Sequence, residues 1–251
     1  MFRKNSHGLY ESTLLSSFQG LVHGFTTRQH GDMRNPDAKL SLICEFYPSV
    51  SALVELNQIH SARVLIYSEH RGKEHHSADA ILCVGWNKRP SYRQLPFLTV
   101  LTADCVPIVL FDPTLPSIAI VHAGWNGTLG NIACEIVKAM LRKGSNPGMI
   151  RVAIGPSIGP CCYSVKSDRA RLFAEAFPKK SAVVEEEKNT YSLNLQNATL
   201  YQLVTVGILR QNIDVASLCT VCTPDEFFSF RRHNEKDFGK MMNFVGMMND
   251  L

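Results

Sequence analysis

The chain has 251 residues, 45% apolar and 19% charged, with a formal net charge of +4. This composition supports a sizeable buried core and excludes extensive disorder. The densest basic feature, Arg231 and Arg232 beside Phe227, Phe228 and Phe230, is too small a footprint for a nucleic-acid partner. No stretch has the roughly eighteen uninterrupted apolar residues of a membrane span, because Asp104 interrupts the best candidate. The opening segment MFRKNSHGLYESTLL lacks a signal peptide's apolar run. The eight cysteines are therefore expected to be reduced thiols, and the chain to be cytoplasmic.

Along the chain, short apolar runs predict strands near 20–26, 51–57, 62–67, 79–84, 97–102, 106–111, 117–122, 150–155 and 215–221. Helices are predicted over 127–142, where Leu129, Ile132, Ile136, Val137 and Met140 form one stripe, over 166–177, and over 195–210, where Leu195, Leu200, Leu203, Val204 and Ile208 share a face. Segments 68–78 and 85–95 are polar and turn-rich, so His70, His75 and His76 read as loop histidines. There is no low-complexity linker or internal repeat. The pattern predicts one α/β (α+β) domain over 1–251, with mixed β-sheets flanked by helices in a layered sandwich.

Three segments carry the chemistry: NQIHSARV with His60, LTADCVPIVLFDP with Cys105, and AIVHAGWNGTLG with His122. Each places a metal-binding side chain beside a turn at a strand end, where α/β proteins put their sites. A thiolate and two imidazoles suit Zn²⁺, and three protein donors leave a fourth position for water or substrate, as catalytic zinc requires. Copper would also bind such soft donors. Taken singly, each residue could equally be a core or loop side chain. The predicted helix after His122 would offer free N–H groups to an anion.

Cys219 and Cys222 form a CxxC, but without a second CxxC they read as ordinary thiols near a strand end. Cys161 and Cys162 follow a rigid turn-forming run, Gly155–Pro160, and either thiol could face the site.

Taken together, the motifs Leu21–Arg28, Asn57–His60, Ala78–Ala80, Thr102–Cys105, Val121–Trp125, Ile158–Tyr163, Phe227–Arg232 and Gly239–Met241 make the chain resemble the YfiH-like family along nearly its whole length. That family is also labelled laccase-domain, polyphenol oxidoreductase and purine nucleoside phosphorylase. The resemblance implies that His60, Cys105 and His122 are zinc ligands. It also implies phosphorolysis of adenosine, inosine and 5′-methylthioadenosine, with adenosine deamination at the same site. Arg28 and Arg231 are the expected phosphate contacts, Asn57 and Gln58 the expected readers of the purine or ribose, and Asp104 a carboxylate that orients a ligand. The expected partners are a purine nucleoside and phosphate, bound by a monomer.

The chain departs from the family pattern at Ser61, Asn126, Ser164, Asn194 and Lys240. Asn126 stands where an Arg is common, which removes a bidentate phosphate fork. A multicopper oxidase is disfavoured, since nine histidines include no His-x-His pair. The Pro-Cys-x-x-Cys of cytidine-type deaminases is absent as well. Two other readings use the same residues. In one, Cys105 is a thiolate nucleophile with His122 or His60 as its base, acting on an amide; a fold analogy to cytotoxic-necrotizing-factor-type deamidases favours it. In the other, Cys161 or Cys162 closes the shell of a non-catalytic metal-binding module.

Overall fold

The computed structural model describes residues 1–47, 50, 53–67, 76–85, 97–178, 181–186, 190–233 and 238–248. In chain order the elements are β1 (Phe2–Lys4), β2 (Tyr10–Ser12), β3 (Leu21–Phe25), α1 (Pro36–Phe46), β4 (Leu53–Val54), β5 (Val64–Ile66), β6 (Ala80–Val84), β7 (Phe97–Thr102), β8 (Val106–Asp112), β9 (Ser117–Ala123), α2 (Trp125–Leu129) and α3 (Ile132–Arg142). They continue with β10 (Arg151–Ile154), β11 (Ser164–Val165), α4 (Ser167–Ala176), β12 (Val183–Glu186), β13 (Thr190–Leu193), α5 (Leu195–Thr205), β14 (Ile213–Val215), α6 (Phe230–His233) and β15 (Met241–Met247).

Two six-stranded mixed sheets, ordered β1-β2-β3-β15-β7-β4 and β14-β10-β8-β9-β6-β5, pack face to face, and β11-β13-β12 form a small third sheet. The second sheet is buried on both faces, which is why β8 and β9 read as unbroken apolar runs. Val109, Phe111, Ile118 and Ile120 meet Leu98, Val100 and Val245 of the first sheet. Their neighbours Ile108, Leu110, Ala119 and Val121 meet α3 and α5 through Ile136, Met140, Ala198 and Leu203. On the far side of the first sheet, Phe97, Met242 and Phe244 cover Leu42 and Ile43 of α1. The order of layers is thus helix, sheet, sheet, helices, the layered α/β sandwich expected from the sequence.

Several local expectations are corrected. The helix predicted over 127–142 is two helices, because Asn131 takes a left-handed conformation (φ 62°) between α2 and α3. The helix predicted to 210 stops at Thr205, and Gly207 (φ 102°) turns the chain. The strand predicted over 215–221 is shorter and earlier, β14, and beyond it only Cys219 pairs, in an isolated bridge to Ser157, before the chain turns at 220–222. Helix α1 and strand β15 were not predicted, although Asn35 caps α1 by accepting from the Asp37 N–H, ahead of Pro36. His70 and His75 lie outside the described residues. No helix among the described residues is long and apolar enough to cross a membrane.

Candidate metal centre and cleft

Three separate turns at one end of the sheets bring the expected side chains together. His60 lies between β4 and β5, Cys105 between β7 and β8, and His122 near the end of β9. Their ligand atoms all lie within 4.8 Å of one another, and the two imidazoles stand 4.8 Å apart at 70°. Gly124 makes room for them: a Cβ there would stand 3.0 Å from His60 Nδ1 and 3.1 Å from Cys105 Sγ.

The residue that holds this arrangement is Asp79, at the foot of β6 and fully buried. One carboxylate oxygen accepts from the His60 N–H at 3.0 Å and faces His122 Nδ1 at 2.9 Å; the other accepts from the N–H groups of Ile59 (3.3 Å) and Ser61 (2.6 Å) and from the Ser61 hydroxyl (2.8 Å). Three successive backbone N–H groups therefore converge on one anion, fixing His60 in its left-handed turn (φ 56°). Burial opposes this carboxylate, but the bonds from His122 and Ser61 outweigh it and hold Asp79 at about 2. Because ionised Asp79 only accepts, His122 carries its proton on Nδ1 and keeps Nε2 free as a donor to an ion.

The surrounding electrostatics suit a cation. Burial pushes the Cys105 thiol up to about 12, and the Asp104 carboxylate adds to the effect. Burial also lowers the His122 imidazole, against the pull of Asp79. Burial thus disfavours the thiolate–imidazolium pair that a cysteine nucleophile needs. A bound cation removes the penalty on the thiolate.

The trio lines a cleft of about 610 Å³ whose walls include Trp125, Tyr163 and Phe230. Three cations also line it: Arg169, Arg231 and Lys240. The Arg231 guanidinium lies 5.0 Å from the Tyr163 ring and donates to the Ser164 carbonyl; that of Arg169 lies 4.1 Å from the Trp125 ring and reaches the Tyr163 hydroxyl at 3.4 Å.

The other expected site residues divide. Arg231 and Asp104 line the cleft. The Asp104 carboxylate accepts from Thr220 Oγ1 (2.6 Å), Ser229 Oγ (3.0 Å) and the Arg231 N–H (2.7 Å), tying three segments of the cleft wall together. Arg28 is not among the lining residues; it donates to the Pro224 carbonyl and lies over Phe228. Gln58 exchanges two 2.8 Å bonds with the Leu101 backbone, and Asn57 bonds Ser77. None of these three residues is among those lining the cleft. Trp125 and Asn126, at the start of the five-residue helix α2, line the cleft. Neither Cys161 nor Cys162 joins the trio; both gather with Cys219 and Cys222, all four sulfurs within 4.8 Å of one another.

A mixed-sheet sandwich whose aromatic, cationic cleft is lined by two imidazoles and one thiol is the architecture of an enzyme with a candidate metal site. Residues 37–248 match the family described as multi-copper polyphenol oxidoreductase laccase, and the chain belongs to that family. It is 32% identical to a Bacillus subtilis protein named purine nucleoside phosphorylase YlmD, over 90% of this chain and 88% of that one. It is 34% identical to a protein named adenosine deaminase RL5, from an unknown prokaryotic organism, over 80% and 77% of the two chains. The crystal structure of YlmD from Geobacillus stearothermophilus superposes with a TM-score of 0.84 at 26% identity, covering 99% of each chain. The multi-copper description fits poorly with the side chains. Among the described residues only the trio and the four cysteines form groups of three or more His, Cys, Asp or Glu able to share an ion, and neither is a histidine-rich trinuclear site.

Proposed function

We propose that this chain is a zinc-dependent purine nucleoside enzyme, cleaving adenosine, inosine and 5′-methylthioadenosine with phosphate and deaminating adenosine. In this reading His60, Cys105 and His122 hold the ion. The observation that carries it is the meeting of those three donors at a substrate-sized cleft, with Asp79 fixing the His122 tautomer. The donor set fits zinc: two imidazoles, one thiol that ionises beside a cation, and no fourth His, Cys, Asp or Glu in the group among the described residues. When bound, zinc supplies Lewis acidity and makes an attached water acidic.

The remaining roles fall to the chain's own side chains. Trp125, Tyr163 and Phe230 offer aromatic faces on which a purine stacks. Phosphorolysis breaks the bond between the purine nitrogen and the ribose carbon and forms a carbon–oxygen bond to phosphate, while the departing purine takes a proton. Arg169, Arg231 and Lys240 hold the anionic nucleophile; each guanidinium spends one of its five N–H donors inside the protein, leaving others for phosphate. Arg169, reaching in from α4, supplies a guanidinium beside Trp125, next to the position where Asn126 replaces the family's common Arg. Deamination replaces the C6–nitrogen bond of adenosine with a carbon–oxygen bond, and ammonia leaves.

Incubating the purified chain with each nucleoside, with and without phosphate, tests this reading by chromatography. Free base and ribose 1-phosphate should form only with phosphate, and inosine should form from adenosine without it. If every nucleoside is recovered unchanged in the presence of zinc and phosphate, the reading is wrong. Slow labelling of Cys105 by iodoacetamide should accompany activity, since a thiolate bound to the ion is not a free nucleophile.

A further inference from the structure

We propose that Cys161, Cys162, Cys219 and Cys222 bind a second zinc ion in a closed four-thiolate site that ties the 159–163 turn to the 219–223 turn. The two cysteine pairs lie far apart in sequence. A parallel bridge between Ser157 and Cys219 lays the segments side by side, and the Thr220 N–H donates to the Ser157 carbonyl at 3.1 Å. From that bridge each segment turns at once and presents two sulfurs to the same point. All four thiols are free, and all four sulfurs lie within 4.8 Å of one another.

The spacing is that of ligands to one ion. Zinc–sulfur bonds of about 2.3 Å in a tetrahedron put sulfurs about 3.8 Å apart. Cys222 Sγ stands 3.5 Å from Cys161 Sγ and 3.4 Å from Cys162 Sγ, whereas a disulfide requires about 2.05 Å. The backbone is arranged for thiolates as well. The Gly159 N–H donates to Cys219 Sγ at 3.2 Å, and the N–H groups of Val221 and Cys222 are directed at the same sulfur. Such donors are the outer-shell bonds that support a metal-bound thiolate. Gly159 also leaves space for the cluster: a Cβ there would lie 3.2 Å from both Cys161 Sγ and Cys219 Cβ.

Four soft donors in a tetrahedron select zinc or iron, and the small span admits a single ion. With every position taken by protein, the site has no room for substrate and is structural. Its place in the fold gives it a task. Tyr163, next to Cys162, lines the cleft, and Thr220, inside the CxxC, bonds Asp104 beside Cys105. The ion would thus fasten one wall of the cleft at its outer edge.

Metal analysis and sulfur-sensitive X-ray absorption on full-length protein, purified under reducing conditions without added metal, test the proposal independently of catalysis. Wild type should carry about two zinc ions, with a zinc–sulfur shell near about 2.3 Å. Cys105→Ala should lose one ion and keep the sulfur-rich shell. Cys161→Ser/Cys162→Ser should lose the other, leaving the mixed nitrogen and sulfur shell and a lower Tm. Where the double variant does not fold, cadmium NMR on cadmium-loaded wild type decides, since a resonance in the four-thiolate range supports the site. Three results would overturn the proposal: wild type holding no ion beyond the one lost in Cys105→Ala, iron in place of zinc, or disulfides among these cysteines in freshly reduced protein.

Discussion

Replacing Asp79 by Asn changes one oxygen to an NH₂ and tests how the trio is held. Either orientation of the amide fails. With its oxygen toward Ser61, the NH₂ group faces the His60 N–H and His122 Nδ1; the imidazole then accepts at Nδ1, shifts its proton to Nε2 and loses its donor to the metal. With its oxygen toward His122, the NH₂ group meets the Ser61 N–H, which stands 2.6 Å from the present carboxylate. The loss of an outer-shell carboxylate weakens metal binding about 10–100-fold, equivalent to about 1.4–2.7 kcal/mol. At least two of the five donors lose a charged acceptor worth about 1.5–3 kcal/mol each, so stability should fall by about 3–6 kcal/mol. Chelator competition gives the zinc affinity and urea denaturation the stability. If Asp79→Asn binds zinc within about twofold of wild type, Asp79 does not set the His122 tautomer.

Other expectations follow from single contacts. Gly124→Ala places a methyl group against His60 and Cys105 and should lower kcat/KM by about tenfold or more, with little change in urea stability; wild-type turnover would refute the tightness of the centre. Arg169→Gln should raise the KM for phosphate by about tenfold while adenosine deamination persists, and an unchanged phosphate KM would remove Arg169 from anion binding. His23 gives a pH dependence. Burial lowers its pKa to about 4, and its Nε2 accepts from the Ser12 N–H. The unfolded chain therefore binds an extra proton between about pH 6.5 and 4, and stability falls as pH drops through that window. From pH 7 to 5 the loss from this residue is about 2 kcal/mol. Urea titrations should show that difference shrink in His23→Gln, and an unaltered slope would contradict it.

Much of this arrangement was legible in the sequence. Cys105 and His122 follow apolar runs long enough to read as buried strands, and His60 sits in a turn, so residue chemistry alone nominated the trio. Asp79, inside the Ala78–Ala80 motif, carries no mark of its role in the sequence beyond its setting. The signal was available: a carboxylate between two alanines at the head of a buried strand needs partners. Arg169 lies on an amphipathic helix whose approach to Trp125 depends on tertiary packing, so nothing local marked it. The same holds for the cysteine pairs, whose meeting depends on one bridge between distant segments. Strand β15, with three methionines, escaped notice because its pairing with β3 and β7, not β-branched composition, makes it a strand. The single helix predicted after His122 failed at Asn131, where one left-handed residue broke an otherwise continuous apolar stripe.

The central claim is that one ion, held by His60, Cys105 and His122, enables nucleoside cleavage. Its most direct test is the release of hypoxanthine from inosine and phosphate by metal-stripped wild type and Cys105→Ala as zinc is added back. Wild type should recover with zinc and saturate, and Cys105→Ala should stay inactive at every concentration. Full activity in stripped wild type, or equal recovery in both proteins, would contradict the account.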